Sequence, residues 1–150
     1  ERYRMTQFFE QIITVQEEHI DMLGHVNNVV YLQWMQDIAL AHTTQLGLDM
    51  HAYLSMNHAM VASEHHVKYR KASLLGDEIL LLTWLGDLTA FSSVRHYIFY
   101  RPSDQSIIFQ GNTLWVCVEI STGKLKRLSP TFTQAYQPIS EGLDPMIFIP

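Results

Sequence analysis

The sequence predicts an α+β domain in which one long helix packs against one antiparallel sheet. Three observations carry this. Residues Asn28 to Leu46 have a helical apolar period; one strand-like segment precedes them; four strand-like segments follow. The links between those later segments are too short for the helical crossovers that parallel strands require.

The first strand is predicted from Phe8 to Gln16, which is rich in aromatic and β-branched residues. Glu17 to Val26 is polar and contains a glycine, so it is expected to be a loop. In the helix that follows, Tyr31, Trp34, Met35, Ile38, Ala39 and His42 recur at three- and four-residue intervals and make one mostly apolar stripe. Asn27 or Asn28 supplies an N-cap, and Gly47 stands where a glycine C-cap belongs. At 1.5 Å per residue this helix is about 28 Å long, enough to cross a sheet. A short second helix is expected around Asp49 to Met56.

Ala59 to Arg70 alternates, with Val61, Ser63, His65, Val67 and Tyr69 on one side and Glu64, His66, Lys68 and Arg70 on the other. Within Glu78 to Leu85, the run Ile79-Leu80-Leu81-Leu82-Thr83-Trp84-Leu85 is almost continuously apolar, as in a central strand buried on both faces. Ser92 to Tyr100 alternates again. Ile107 to Ile120 is a long strand with Leu114, Val116, Val118 and Ile120 on one face. Gly76-Asp77, Gly86-Asp87, Pro102-Ser103-Asp104 and Ser121-Thr122-Gly123 punctuate these strands as turns.

The length of 150 residues fits one domain, 1–150, and 47% apolar against 17% charged residues is the balance of a folded chain. A net charge of −5 argues against general nucleic-acid binding. No run reaches the roughly 18 apolar residues of a membrane span. Glu1-Arg2-Tyr3-Arg4 does not resemble a signal peptide, and a cytoplasmic location is expected. The lone Cys117, inside an apolar run, is expected to be a small buried hydrophobe in a reducing compartment.

The chemistry-bearing stretch is His19-Ile20-Asp21-Met22-Leu23-Gly24-His25-Val26-Asn27-Asn28-Val29-Val30-Tyr31. An acid precedes a glycine, and the glycine precedes a capped helix start. That start offers unpaired N–H groups and the positive end of the helix dipole, which stabilise an oxyanion. Gly24 lets the backbone turn tightly, and the Asp21 carboxylate on the same loop can attack a carbonyl or activate water. The structural alternative is that Asp21 only caps a turn that Gly24 permits.

Asp-x-x-Gly-His-Val-Asn-Asn-x-x-Tyr-x-x-Trp, beginning at Asp21, resembles the signature of the 4-hydroxybenzoyl-CoA thioesterase-like branch of the hotdog superfamily. Val67-Lys68-Tyr69-Arg70-Lys71-Ala72 with Gly76-Asp77, and Gly111-Asn112-Thr113-Leu114-Trp115-Val116 with Gly123-Lys124, are similar to later segments of that branch. The resemblance spans residues 8 to 130. It implies a hotdog fold, a long helix wrapped by a five- or six-stranded antiparallel sheet. It further implies a homodimer or dimer of dimers with active sites at the subunit interface, and hydrolysis of acyl or aroyl thioesters of coenzyme A or acyl carrier protein.

Residue by residue, the resemblance makes Asp21 the catalytic carboxylate, as nucleophile or general base, and places the carbonyl-polarising N–H at Asn28 or a neighbour. Gly24 and His25 belong to the same motif; His25 either lines the site or ties down the loop. Asn27 and Tyr31 are expected beside the substrate, with Lys68, Arg70 and Lys71 meeting phosphates; Lys124, Lys126 and Arg127 are further candidates for that role. A solvated basic edge is the structural alternative for these cations.

Three departures from the family pattern stand out. His19 occupies a position where relatives often carry an acid, the proline expected after Tyr69 is replaced, leaving Arg70-Lys71-Ala72, and Gly86-Asp87-Leu88-Thr89-Ala90 lacks the basic residues some relatives place there. Glu64 is expected at the surface.

Eight histidines raise a metal site as an alternative, but adjacent strand residues His65 and His66 point to opposite faces. His51 and His58 lack acidic or thiolate partners at ligand spacing, and no HExxH or paired CxxC is present. No metal and no cofactor are expected. A hotdog hydratase or dehydratase and a non-catalytic acyl-thioester-binding dimer are the competing functions. The first uses a histidine–acid motif not found here.

Overall fold

The computed structural model describes residues 8–136, 138–139 and 149. Glu1 to Arg4, read above for a signal peptide, lie outside them. The elements run β1 (Phe8–Thr14), a 3-10 turn (Glu17–His19), α1 (Asn28–Gln45), α2 (Met50–Ser55), β2 (Ala59–Tyr69), β3 (Glu78–Leu88), β4 (Ser92–Arg101), β5 (Ser106–Val118) and α3 (Pro130–Ala135).

These bounds follow from local chemistry. The Asn27 side chain accepts from the Val29 N–H to open α1, and Gly47, at φ +84°, ends the turn that closes it. The buried stripe of α1 is Tyr31, Trp34, Met35, Ile38, Ala39 and His42, the residues its period selects. Asp49 caps α2 by accepting from the Ala52 N–H, and Ser129 caps α3 from the Phe132 N–H with Pro130 in the first turn.

The sheet is five-stranded and antiparallel throughout, in the order β1-β3-β4-β5-β2. Thus β2 and β3, consecutive along the chain, lie apart. The end of β1 takes the place beside β3: Val15 N–H donates to Asp77 O, and Gly76 N–H to Val15 O. The turn between β2 and β3 is fixed by the Asp77 carboxylate, which accepts from the Leu74 N–H and from Arg101 Nη1, each at 3.0 Å. The Gly76-Asp77 pair is therefore a strut of the fold.

One sheet face packs on α1 through Ile79, Leu81, Tyr97, Phe99 and Phe109. The other carries Leu80, Leu82, Trp84, Ile98 and Tyr100, against which Ile139 packs. Strand β3 is buried on both faces, as its continuous apolar run requires. On β5 the outcome differs from the alternation. Thr113 and Cys117 are the buried positions, whereas Leu114, Val116 and Val118 are half-buried and Ile120 is exposed. Buried Thr113 has a polar partner, its Oγ1 lying 2.8 Å from His65 Nδ1, and Cys117 packs with Leu48, Leu85, Leu128, Phe132 and Tyr136.

Strand β2 forms one sheet edge. It bulges between Ala62 and Glu64, and from Val61 to His66 every residue is exposed.

Candidate active site

The loop before α1 is pinned by main-chain bonds. Ile20 pairs with Val26 in an antiparallel bridge, the Asp21 N–H donates to His25 O at 2.9 Å, and the Gly24 N–H donates to Asp21 O at 3.0 Å. Gly24 sits at φ +78°, the left-handed region that a side chain disfavours. Outside the turn, Asn27 N–H donates to His19 O and Val26 N–H to Ser73 O, both at 2.9 Å.

The half-buried Asp21 accepts from the Leu23 N–H at 2.9 Å through Oδ1. The turn-capping role is thus real, yet it occupies one oxygen; Oδ2 has no partner among the described residues. At the helix start, Asn27 accepts from Val29 N–H and Val30 N–H at 2.9 Å each. The Asn28 N–H, in the first turn where no intrahelical acceptor exists, has no partner among the described residues. A carboxylate oxygen and a helix-start donor are left unspent on one short segment.

Tyr69, the last residue of β2, brings the sheet to this point by donating from its hydroxyl to Asn28 O at 3.2 Å. Tyr31 lies beneath, stacked on Phe109 with centroids 5.1 Å apart and donating to Ser73 Oγ at 3.0 Å. Burial raises the Tyr31 pKa above its ordinary value, so the hydroxyl stays protonated and remains a donor. Ser73, which the sequence did not single out, is fully buried and holds both the loop and Tyr31. Its only sequence signal was its place in the link after the Tyr69 motif.

His25 is exposed, and only its carbonyl is used within the turn. His19, at the position where an acid was expected by resemblance, accepts from Gln16 N–H through Nδ1 and meets Trp34 edge-on at 5.3 Å. It is a packing residue of the turn. The three basic residues separate. Lys68 and Arg70 lie on the sheet face opposite Tyr69, where Arg70 Nε donates to Gln110 Oε1 at 2.6 Å, and Lys71 is exposed just beyond. The chain thus joins Asp21, Gly24, Asn27, Asn28 and Tyr31 in one place, with Lys68 and Arg70 around the sheet edge.

Lys126 is also committed, donating through Nζ to Met56 O and Asn57 O. Glu64 is exposed, 3.4 Å from His66 Nε2. Among the described residues no group of three His, Cys, Asp or Glu side chains could hold a metal ion, and no helix is long and apolar enough to cross a membrane.

A profile of the family described as "Thioesterase-like superfamily" matches residues 15–136, most of the chain and the whole of the region just described. The chain belongs to this superfamily.

Among its relatives is the long-chain acyl-CoA thioesterase FadM of Escherichia coli K12. It is 22% identical over 112 residues, which cover 75% of this chain and 84% of FadM. The solved DHNA-CoA thioesterase of Staphylococcus aureus superposes with a TM-score of 0.78 at 18% identity, covering 89% of this chain and 97% of that one. A second Staphylococcus aureus protein, determined in complex with CoA, superposes at 0.81 with 16% identity, covering 90% and 85%. These superpositions establish for this superfamily member the hotdog architecture that the Asp21 motif implied.

Proposed function

We propose that this protein hydrolyses acyl thioesters of coenzyme A, and of acyl carrier protein where that carrier presents the same arm, at the Asp21–Asn28 site. The supporting observation is that one Asp21 oxygen and the Asn28 N–H, both without partners among the described residues, lie on one loop pinned from both ends. FadM and the two Staphylococcus aureus structures, named for acyl-CoA or solved with CoA, favour the carrier.

In the proposed reaction the thioester carbonyl oxygen points at the helix start. As the carbonyl carbon becomes tetrahedral, the Asn28 N–H donates to the oxyanion, a contribution of about 3 kcal/mol for a well-placed donor. Asp21 either takes a proton from the attacking water or attacks the carbonyl itself to give a mixed anhydride that water then opens. The C–S bond breaks in each route, the thiol leaves and the acid remains. Single-turnover hydrolysis in ¹⁸O-water separates direct attack from an anhydride opened at the Asp21 carboxyl carbon: the first puts one ¹⁸O into the acid released, whereas the second leaves that acid unlabelled and puts the ¹⁸O into Asp21. No cofactor is required.

The working unit is proposed to be a dimer, alone or paired again. The β2 edge leaves a row of exposed backbone groups, and unprotected edges pair readily. Two-fold pairing of two β2 strands would run them antiparallel, setting the Tyr69 end of one beside the Ala59 end of the other. Met22, Leu23 and Val29 project from the site loop at 98%, 75% and 68% exposure, an apolar rim suited to a partner subunit or an acyl group. Lys68, Arg70 and Lys71 remain the proposed contacts for the carrier's phosphates, reached around the edge.

Assay of a panel of acyl-CoA and acyl carrier thioesters, following free thiol, tests the activity. Turnover of at least one is expected; no turnover of any would leave only the non-catalytic binding function.

A further inference from the structure

A groove of about 540 Å³ flanks the C-terminal half of α1, walled by Leu40, Leu54, Met60, Ile120 and Phe132. That volume is in the range of small-molecule sites, roughly 300–1,000 Å³. Its polar lining departs from the rules that govern protein interiors. Arg95 reaches it from β4 yet is only 3% exposed. The guanidinium donates through Nη1 to His42 Nδ1 at 3.0 Å and Thr83 Oγ1 at 3.1 Å, and through Nη2 to the Tyr136 hydroxyl at 3.1 Å.

All three acceptors are neutral. An arginine only donates, so His42 Nδ1 carries no proton, and burial raises the Tyr136 hydroxyl above its ordinary pKa, so it is no phenolate. Among the described residues the ion pairs are His66–Glu64, Arg101–Asp77 and Arg101–Asp104, none involving Arg95. Buried charges are ordinarily paired, and a guanidinium cannot shed its proton. Among the described residues two of its five N–H donors are also unspent.

The same groove holds two further polar groups in deficit. Among the described residues Trp115 Nε1 is buried without an acceptor, and both ring nitrogens of His58 are buried without a hydrogen-bond partner. Arg95 pairs with Thr113 and Ser93 with Trp115 across β4 and β5, so Arg95 and Trp115 are diagonal neighbours on one face. The His58 ring lies between Tyr53 and Phe132, with centroids at 5.5 and 5.4 Å. An apolar groove whose buried cation has no ion-pair partner among the described residues, with N–H donors to spare among them, is complementary to an apolar chain with an anionic, accepting end.

We propose that this groove binds an apolar chain ending in a carboxylate, with Arg95 as its counter-charge and the Trp115 indole N–H as a second donor. Resting on the thioesterase function, the carboxylate has two sources: the far end of an acyl group that is itself a dicarboxylic monothioester, or a free carboxylic acid such as the hydrolysis product. The first source requires that the groove be reached by an acyl group bound at a site loop, whether of the same subunit or of its partner.

Calorimetric titration of the full chain with octanoate and with octanol, alike in chain and different in charge, tests the shared chemistry. Octanoate is expected to bind about tenfold or more tighter, the scale of one charge-assisted hydrogen bond. Arg95→Met abolishes that preference, Arg95→Lys restores part of it, and Trp115→Phe, which removes only the N–H, weakens octanoate alone. Equal binding of the two by the wild type overturns the proposal, and that result needs no variant to fold. So does an octanoate preference that survives in a folded Arg95→Met.

Comparing octanoyl-CoA with the mono-CoA thioester of octanedioic acid then separates the sources. A higher kcat/KM for the second assigns the carboxylate to the acyl tail; octanoate preference without it assigns it to the free acid. Should neither thioester be cleaved, the thioesterase function fails while the carboxylate site stands or falls on the titration.

Discussion

The Tyr31 hydroxyl donates to Ser73 Oγ at 3.0 Å across 42 positions of the chain, and Ser73 uses its backbone oxygen to accept from the Val26 N–H. One buried serine therefore fastens the helix and the site loop to the link between β2 and β3. Tyr31→Phe keeps the ring stacked on Phe109 but leaves Ser73 Oγ without its donor. Loss of about 1–2 kcal/mol is expected, seen as a Tm several degrees lower in calorimetry. Acyl-CoA turnover should fall with it, because the loop loses part of its anchor. An unchanged Tm would show that the bond is dispensable.

Gly24 tests the loop from the other side. An added Cβ meets nothing within 4 Å, so the effect of Gly24→Ala comes from the backbone at φ +78° alone. The expected loss is about 1 kcal/mol in urea denaturation, with Gly24→Asn milder because asparagine tolerates this region better. Equal stability of the alanine variant would contradict the turn geometry.

What the sequence made legible was local. The stripe of α1, its Asn27 cap and the Gly47 stop could be read directly, because they depend on residues within a few positions of one another. So could the buried run of β3. The place of β2 at the sheet edge could not, since strand order depends on pairings between segments far apart, such as Phe8 with Trp84 and Tyr69 with Phe109. The site divided in the same way. Asp21, Gly24 and Asn28 lie in one motif, whereas Ser73 and Tyr69 reach it only through the fold, and alternation alone could not tell which face of β2 would carry Lys68 and Arg70. Arg95 had a signal in retrospect: it shares the parity of Ser93, Tyr97 and Phe99, the core-facing side of β4.

The His58 imidazole gives a pH dependence with a definite sign. Burial, assisted by Lys126, lowers its pKa from the ordinary 6.5, so the folded state favours the neutral ring. The resulting stability is complete above pH 6.5 and is lost as pH falls through the depressed folded value. Thermal melts between pH 7.5 and 5 should therefore show a decline that is smaller in His58→Phe. A decline identical in both proteins would assign it to other groups.

The β2 edge predicts the assembly. Sedimentation should give at least twice the 17.4 kDa of one chain, and Val61→Lys, at an exposed position of that edge, should shift it toward the monomer. Turnover should fall in step with dissociation if the site needs both subunits. A wild-type monomer with full activity would remove the interface from the account.

The most direct measurement is the kcat/KM of Asp21→Asn on an acyl-CoA that the wild type cleaves. Asparagine retains an oxygen to accept the Leu23 N–H, so the turn is preserved while the charge and basicity are removed. A fall of roughly a hundredfold or more, with an unchanged melting profile, is the predicted result for a catalytic carboxylate. Turnover within about twofold of wild type, far below any general-base contribution, would reduce Asp21 to a turn residue and place the chemistry elsewhere.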